Sequence, residues 1–337
     1  MQPDVRTTLV TPPRRTRNIS IVVVAVAALI VLALGPLVLS ASLQFLMLTM
    51  IVYALFAVAT NFLVGFSGLL SFGQAVFFGF GAYTAALLWT HGVPFWVGFI
   101  AAPFMAALVA AFVAVVSLRT SRLYFALLTL GFSQLAYEIC DALYNFTGGE
   151  TGIPGINIPN ALSGNMANFE FVLLVAAVAA LALYWVRRSS FGMALQAIRE
   201  NPTRAEAVGI HIYWHHVLAY VIAGLVCGLA GVLYVVYQQQ VSPSLLDWTT
   251  SGEPVLMAVL GGMGMYLGPA VGSFIYLFLQ NYVGQFTVQW PLLVGAAVLI
   301  LVIVYPRGFV GGLADAFGWI RRRLGAREMV AGEGSSP

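Results

Sequence analysis

Four histidines, two cysteines and twelve acids are the groups in this 337-residue chain that could ligate a metal, attack a substrate or move a proton. Their spacing supports little of that chemistry. His211, His215 and His216 offer one i, i+4 pair. A cluster at the start of an interfacial helix explains them more simply than a metal site. Cys140 and Cys227 both lie in apolar stretches and read as buried thiols packing as small hydrophobes. They imply no disulfide framework or metal cluster. Glu138 and Asp141 are spaced to share a helix face. Glu138 falls about 24 Å beyond Arg122 along a helix, near an outer membrane interface, where headgroup solvation accounts for both acids.

The basic residues exclude more. All 15 are Arg, and the sequence holds no Lys. A P-loop needs a Lys to reach the β/γ-phosphates, and its G-x-x-x-x-G-K-[ST] pattern is absent. Schiff-base chemistry is excluded for the same reason. No nucleophile–base or metal constellation supports an intramembrane enzyme.

Composition fixes the solvent. Hydrophobic residues make up 61% of the chain and charged residues 8%, against about 25% charged in soluble domains. With so few charges the chain cannot cover a core with polar surface, and a bilayer removes that requirement. Apolar runs long enough to span occur at 19–39, 42–64, 75–91, 95–118, 122–145, 168–186, 213–238, 267–286 and 290–306. A shorter run, 254–263, lies between Pro254 and Gly264. The basic segment with Arg6, Arg14, Arg15 and Arg17, followed by the first apolar run, reads as a retained span.

Arginine collects in cytoplasmic loops. With the N-terminus inside, the loops at 119–122 and 187–211 fall inside, and those at 91–94, 147–166 and 239–253 fall outside. The tail with Arg307, Arg321, Arg322, Arg323 and Arg327 returns inside only if 254–263 also crosses, as a short or broken helix. Ten crossings put every Arg on the cytoplasmic side.

Residues 189–210 form the most informative loop, read as two short helices. Ser189 or Ser190 is placed to cap the first. Leu195 and Ile198 share a face. Asn201 is a good N-cap, Pro202 suits the first position of the second helix, and Gly209 is placed to end it. Arg199, Glu200, Arg204 and Glu206 supply a polar surface. A stiff, capped helix pair between spans suits a docking element that receives movement; a linker lying on the membrane surface is the alternative.

This stretch also resembles the loop of branched-chain amino acid ABC transporter permeases of the LivM type. Ser189, Phe191, Gly192, Ala194, Ala197, Ile198, Arg199, Glu200, Asn201, Ala205, Gly209 and Ile210 carry the pattern, while Met193 stands where a basic residue is usual. The resemblance runs from about 45 to 310. It includes Asn61 to Ala75, Gly79 to Tyr83, Gly148-Gly149 with Thr151-Gly152-Ile153, Ala223-Gly224-Leu225 with Gly228 to Gly231, Ser242-Pro243, and Leu260 to Gly264 with Gly268-Pro269. It implies that 189–210 is a coupling segment seated in an ATPase subunit. The residues it places there are Phe191, Gly192, Leu195, Ile198, Arg199, Glu200, Asn201, Glu206 and Gly209, with Leu195 and Ile198 as apolar anchors.

Two glycine-interrupted segments stand out without the family: Gly65 to Gly81 and Gly261 to Gly272. Both contain Gly pairs three apart, and broken segments in corresponding halves of a transporter point to its route. Asn61, Ser67, Gly68, Ser71, Gln74, Gly261, Gly262 and Gly264 are therefore candidates for a polar pathway, although Gly also permits close helix packing and Ser and Asn tie helices together. Glu150, Asp247 and Glu253, in outer loops free of Arg, are candidates for docking a binding protein.

The fold expected is an all-α polytopic transmembrane bundle of about ten crossings. It divides into a cytoplasmic tail at 1–18, a permease domain at 19–306 and a second cytoplasmic tail at 307–337; the outermost parts of both tails read as disordered. The resemblance implies a second related permease (a heterodimer), two ATP-binding subunits, an extracytoplasmic solute-binding protein, and a bacterial inner membrane with both termini cytoplasmic. ATP hydrolysis would reside in the partners, no cofactor is required, and nucleic acid is not a partner. Hydrophobic amino acids are the family's substrates, with relatives serving urea, amides or aromatic acids. The competing class is a stand-alone secondary transporter, which needs intramembrane acids to bind its driving ion.

Overall fold

The computed structural model describes residues 40–312, apart from 163, 288, 305–307 and 310. The expected first span at 19–39 and nearly all of the two tails lie outside the described residues. Within them the apolar runs become helices. They are α1 (Ala41–Asn61), α2 (Gln74–Thr90), α3 (Phe95–Ser117), α4 (Arg122–Ala142), the single turn α5 (Tyr144–Thr147) and α6 (Asn165–Arg188). There follow α7 (Ser190–Glu200), α8 (Pro202–Ala207), α9 (Ile212–Gln238), α10 (Trp248–Gly261), α11 (Gly268–Gly284) and α12 (Trp290–Val304). The chain is an all-α polytopic bundle.

Among the described residues, five helices are long and apolar enough to cross a membrane: Ala41–Ser67, Phe95–Ser117, Leu123–Ala142, Asn165–Arg188 and Ile212–Gln238. The first includes a π-helical turn, Phe62–Ser67, appended to α1. α2 and α11 measure about 26 Å each and α10 about 21 Å by helical rise, short of a hydrocarbon core of about 30 Å. The expected short helix at 254–263 is α10, but it begins earlier, at Trp248. Its start is set by Asp247, whose carboxylate accepts the Thr249 N–H at 2.6 Å, and Pro254 lies inside the helix.

Small residues let the central helices approach. Of these five spans, Ala41–Ser67 and Ile212–Gln238 are the most enclosed. On α9, Gly224 and Gly228 face Ala110 and Ala106 of α3, while Gly231 faces the Phe78 carbonyl of α2. Gly228 in turn meets Gly81. In lipid, such close contact is a main source of helix association. The outer helices instead present Leu108, Phe112, Leu127, Leu174 and Val178 outward, as a chain solvated by acyl tails requires.

At one end of the bundle, the Gly148–Ile153 and Ser242-Pro243 motifs meet. Strands β1 (Ile153–Pro154) and β2 (Gln240–Val241) pair antiparallel, with Ile153 opposite Val241. Gly152 has φ +67° and lies against the Val241 carbonyl. A side chain there would have neither the conformation nor the room.

Candidate functional site

The first glycine segment is a break in the bundle, held together by side chains. After the π-turn, Gly68 adopts φ +74° and the backbone runs without helix to Gln74. Ser71 Oγ and Tyr220 Oη share a hydrogen bond of 2.6 Å. Gly73 N–H donates to Ser71 Oγ at 3.2 Å, and Phe72 N–H donates to Thr129 Oγ1 at 3.2 Å. Ala75 N–H donates to Ser251 Oγ at 2.9 Å. Tyr220 lies about 12 Å along α9 from Ile212, and Cys227, whose thiol faces Gln74 Oε1 at 3.5 Å, about 22 Å along. The chain thus climbs back into the bundle, and α2 begins well inside it. Broken backbone at that depth is tolerated because protein surrounds and satisfies it.

The pathway candidates of the first segment lie inside the bundle. Ser67, Ser71 and Gln74 are buried inside the chain. Ser67 Oγ donates back to the Leu63 carbonyl at 2.6 Å. Ser71 helps to hold the break through its bonds to Tyr220 and Gly73. Ser71 in particular satisfies Tyr220, whose buried hydroxyl needs a partner. That tyrosine was the sequence signal for the network, since it sits in an otherwise apolar run, and sequence reasoning missed it.

The second glycine segment meets the first. Asn61 Nδ2 donates to the Met265 carbonyl at 3.2 Å, and Gly65 faces the Met263 carbonyl. Gly261 packs against Gly268 and Gly272, so α10 and α11 approach backbone to backbone. Gly262 has φ +110°, and Gly264 has open space around it.

The helix pair α7–α8 sits against this junction. Asn201 Oδ1 accepts the Arg204 N–H at 3.0 Å, the expected cap. α8 ends with Ile210 N–H donating to the Ala205 carbonyl at 3.1 Å and Gly209 N–H to the Glu206 carbonyl at 2.9 Å. Gly209 has φ +85°, so this is a Schellman closure. Ser189 does not cap α7: its hydroxyl donates to the Val186 carbonyl at 2.6 Å. Gly192 lies against the Arg187 backbone, and Phe191 stacks on His215 at 5.7 Å.

Leu195 and Ile198 are not available as anchors for a partner. They are 0% and 2% exposed, because the apolar face of α7 turns toward the bundle. Burying each contributes about 2 kcal/mol to holding α7 in place. The surface left outward carries Glu200, Asn201, Arg204 and Glu206, together with Met193 and Val208.

Arg199 joins the helix pair to the break. Its guanidinium donates to the Gly65 carbonyl, and its stem packs on Gly68 at a spacing where a Cβ would stand 3.0 Å away. Arg187 lies over the Phe66 ring at 3.9 Å. A continuous chain of contacts therefore runs from α7 through Arg199 to Gly65, and from there to Met263 and Met265.

Of the outer candidates, Glu150 stays exposed in the turn Gly149–Thr151. Asp247 is committed to capping α10. Glu253 is not in an outer loop: it lies on α10, among tyrosines of neighbouring helices.

A polytopic helix bundle with glycine-broken segments meeting at one end, and a capped helix pair bound to them, defines a membrane transport component. The match with known proteins gives its family. A model described as the permease component of the branched-chain amino acid transport system matches residues 42–303, and the chain belongs to that family. It is 28% identical over 291 residues to the high-affinity branched-chain amino acid transport system permease protein LivM of Escherichia coli (strain K12), covering 78% of this chain and 68% of that one. The Salmonella typhimurium protein of the same name is 26% identical over 287 residues, 77% of this chain and 68% of that one. A probable branched-chain amino acid transport permease protein LivM of Methanocaldococcus jannaschii is 30% identical over 163 residues, 47% of each chain. No solved structure matches. The chain is thus a permease subunit of an ABC-type importer, a multi-pass inner-membrane transport component.

Proposed function

We propose that this permease carries branched-chain or similar hydrophobic amino acids. In this reading it forms half of the pathway beside a second, related permease. Two ATP-binding subunits hydrolyse ATP on the cytoplasmic side, and an extracytoplasmic binding protein delivers the solute. Both termini are cytoplasmic, the permease domain spans 19–306 between its two tails, and 189–210 is the coupling segment. Relatives named for branched-chain amino acids support the solute class.

The observation that carries the coupling role is the Arg199–Gly65 bond. The polar outer surface of α7–α8 is free to meet an ATPase. Its inner face is fixed to the bundle by Leu195 and Ile198. Movement of the pair therefore reaches the broken backbone through a charge-assisted hydrogen bond, worth about 1.5–3 kcal/mol. The contact surface assigned to the ATPase is Glu200, Asn201, Glu206 and Val208, with Phe191, Gly192 and Gly209 shaping the pair.

Reconstitution with the partner subunits tests this. Arg199→Ala keeps assembly, because its guanidinium is engaged by the Gly65 carbonyl, and lowers leucine taken up per ATP hydrolysed by roughly tenfold. Arg204→Ala, on the exposed surface, serves as the control for loss of one charge. Wild-type transport by Arg199→Ala would show that 189–210 does not act through the break.

A further inference from the structure

Helix α4 is the least buried of the five spans and also the least apolar. Those two properties conflict if its open side faces lipid, because acyl tails solvate neither a charge nor an amide. The open side of α3 meets that condition, with no charged or amide side chain from Phe95 to Ser117. The open side of α4 does not.

The helix has two distinct sides. Phe125, Ala126, Thr129, Ser133 and Cys140 are buried and fall on one side at helical spacing. Thr129 Oγ1 accepts the Phe72 N–H of the first break at 3.2 Å, and Ser133 Oγ donates to the Leu246 carbonyl at 2.9 Å. Along the opposite side, Tyr124, Leu127, Gly131, Leu135 and Glu138 are all exposed. Beside them, Gln134 Nε2 donates to Glu138 Oε1 at 2.7 Å. Leu127 thus shares its side with an amide and a carboxylate, whereas Leu108 and Phe112 of α3 have only apolar company.

The exposed side is also hollow. A groove of about 700 Å³ runs from Thr120 and Ser121 past Tyr124 and Leu127 to Gly131. A Cβ on Gly131 would meet nothing within 4 Å among the described residues. Gly131 lies about 14 Å along the helix from Arg122, about half the depth of a hydrocarbon core of about 30 Å. Gln134 follows one turn further on. A largely apolar groove with a few polar groups beside it is the usual composition of a small-molecule site. It suits a solute with a hydrocarbon side chain and a charged backbone.

We propose that the side of α4 through Tyr124, Gly131 and Glu138 is this chain's wall of the water-filled pathway, and that the groove at Gly131 takes the hydrocarbon side chain of the solute in transit. The inference rests on the reading that the chain forms half of a pathway beside a second permease, and it names the helix that borders that pathway. The buried side ties the wall to the first break, and Arg199 ties the break to α7. Movement of α7–α8 therefore has a bonded route to the wall.

The test uses the complete transporter in proteoliposomes, with leucine-loaded binding protein outside, ATP inside and a membrane-impermeant charged methanethiosulfonate on both sides. Gly131→Cys reacts at least tenfold faster than Val178→Cys, a lipid-facing control on α6, because a thiol must be ionised to react and ionises in water. The wild type, whose Cys140 and Cys227 are buried, sets the background. Gly131→Trp fills the groove and lowers leucine uptake at least tenfold in complexes that still assemble, while Val178→Trp stays within twofold of the wild type. If the wild type takes up no leucine, the importer reading fails, and the thiol rates alone decide whether α4 borders water. If the wild type transports and Gly131→Cys reacts no faster than Val178→Cys, this side of α4 faces lipid or a sealed protein contact, and the proposal is overturned. Wild-type uptake by Gly131→Trp overturns the role of the groove. Should Gly131→Trp fail to assemble, the Gly131→Cys rate decides.

Discussion

The two glycine-broken segments carry the same sequence signal and do different physical work. The first, from Gly65 to Gln74, is mostly buried, with only Leu70 facing outward; side chains of Ser71, Thr129 and Ser251 accept backbone N–H groups in and just after it, and Tyr220 bonds Ser71. The second, from Gly262 to Leu267, is a short exposed turn whose Met263 and Leu267 face outward. It offers carbonyls to the first segment: Met265 to Asn61 and Met263 beside Gly65. One break is a buried joint and the other is the surface it bears on. Glycine spacing alone does not distinguish them, because Gly serves both close approach and free turning.

The contrast can be broken most sharply at Gly65. A Cβ there meets Asn61 and the Met263 carbonyl at once. Gly65→Val is expected to destabilise the permease by about 3 kcal/mol or more, since overpacking against backbone has nowhere to relax. A lowered unfolding temperature in detergent, together with poor assembly, checks it. An unfolding temperature like the wild type's would mean that the two segments do not bear on each other.

Ser71→Ala probes the enclosure of the first segment. It removes the partner of a buried tyrosine hydroxyl and of the Gly73 N–H. The expected loss is about 2 kcal/mol, read from thermal unfolding. Tyr220→Phe combined with Ser71→Ala should recover part of it, because the orphaned hydroxyl is gone. Additive losses in the double variant would argue against a shared bond.

Gly264→Ala is the smallest effect. Nothing lies within 4 Å of a Cβ at that position, and its φ is not positive. The stability change should stay within about 0.5 kcal/mol and leucine uptake should be unaltered. A large loss at Gly264 would mean that the second segment closes onto something in the assembled transporter.

Apolar runs and the Asn201 and Gly209 caps read correctly from sequence because each is a local property. Hydrophobic length sets a span, and Asn201 caps α8 through a bond to the next turn. Nine of the ten predicted apolar runs become helices near their expected bounds, and the tenth lies outside the described residues. The site was less legible. Leu195 and Ile198 were visible as an apolar face, but which body that face meets is not a local matter. The same holds for Ser71, whose partner lies 149 positions away.

The sequence by itself determined that the chain lives in a bilayer, that it holds no Lys for a P-loop, and that a capped helix pair interrupts its spans. Periodicity, charge and cap chemistry are written in neighbouring residues, so no fold is needed to read them. Only the tertiary structure decided that Arg199 reaches Gly65, that Asp247 starts α10 six residues earlier than Pro254 would suggest, and that Glu253 lies on that helix and not in a loop. Those outcomes depend on which helices approach one another. In lipid that choice is made by small-residue packing and long-range hydrogen bonds, which leave no period in the sequence.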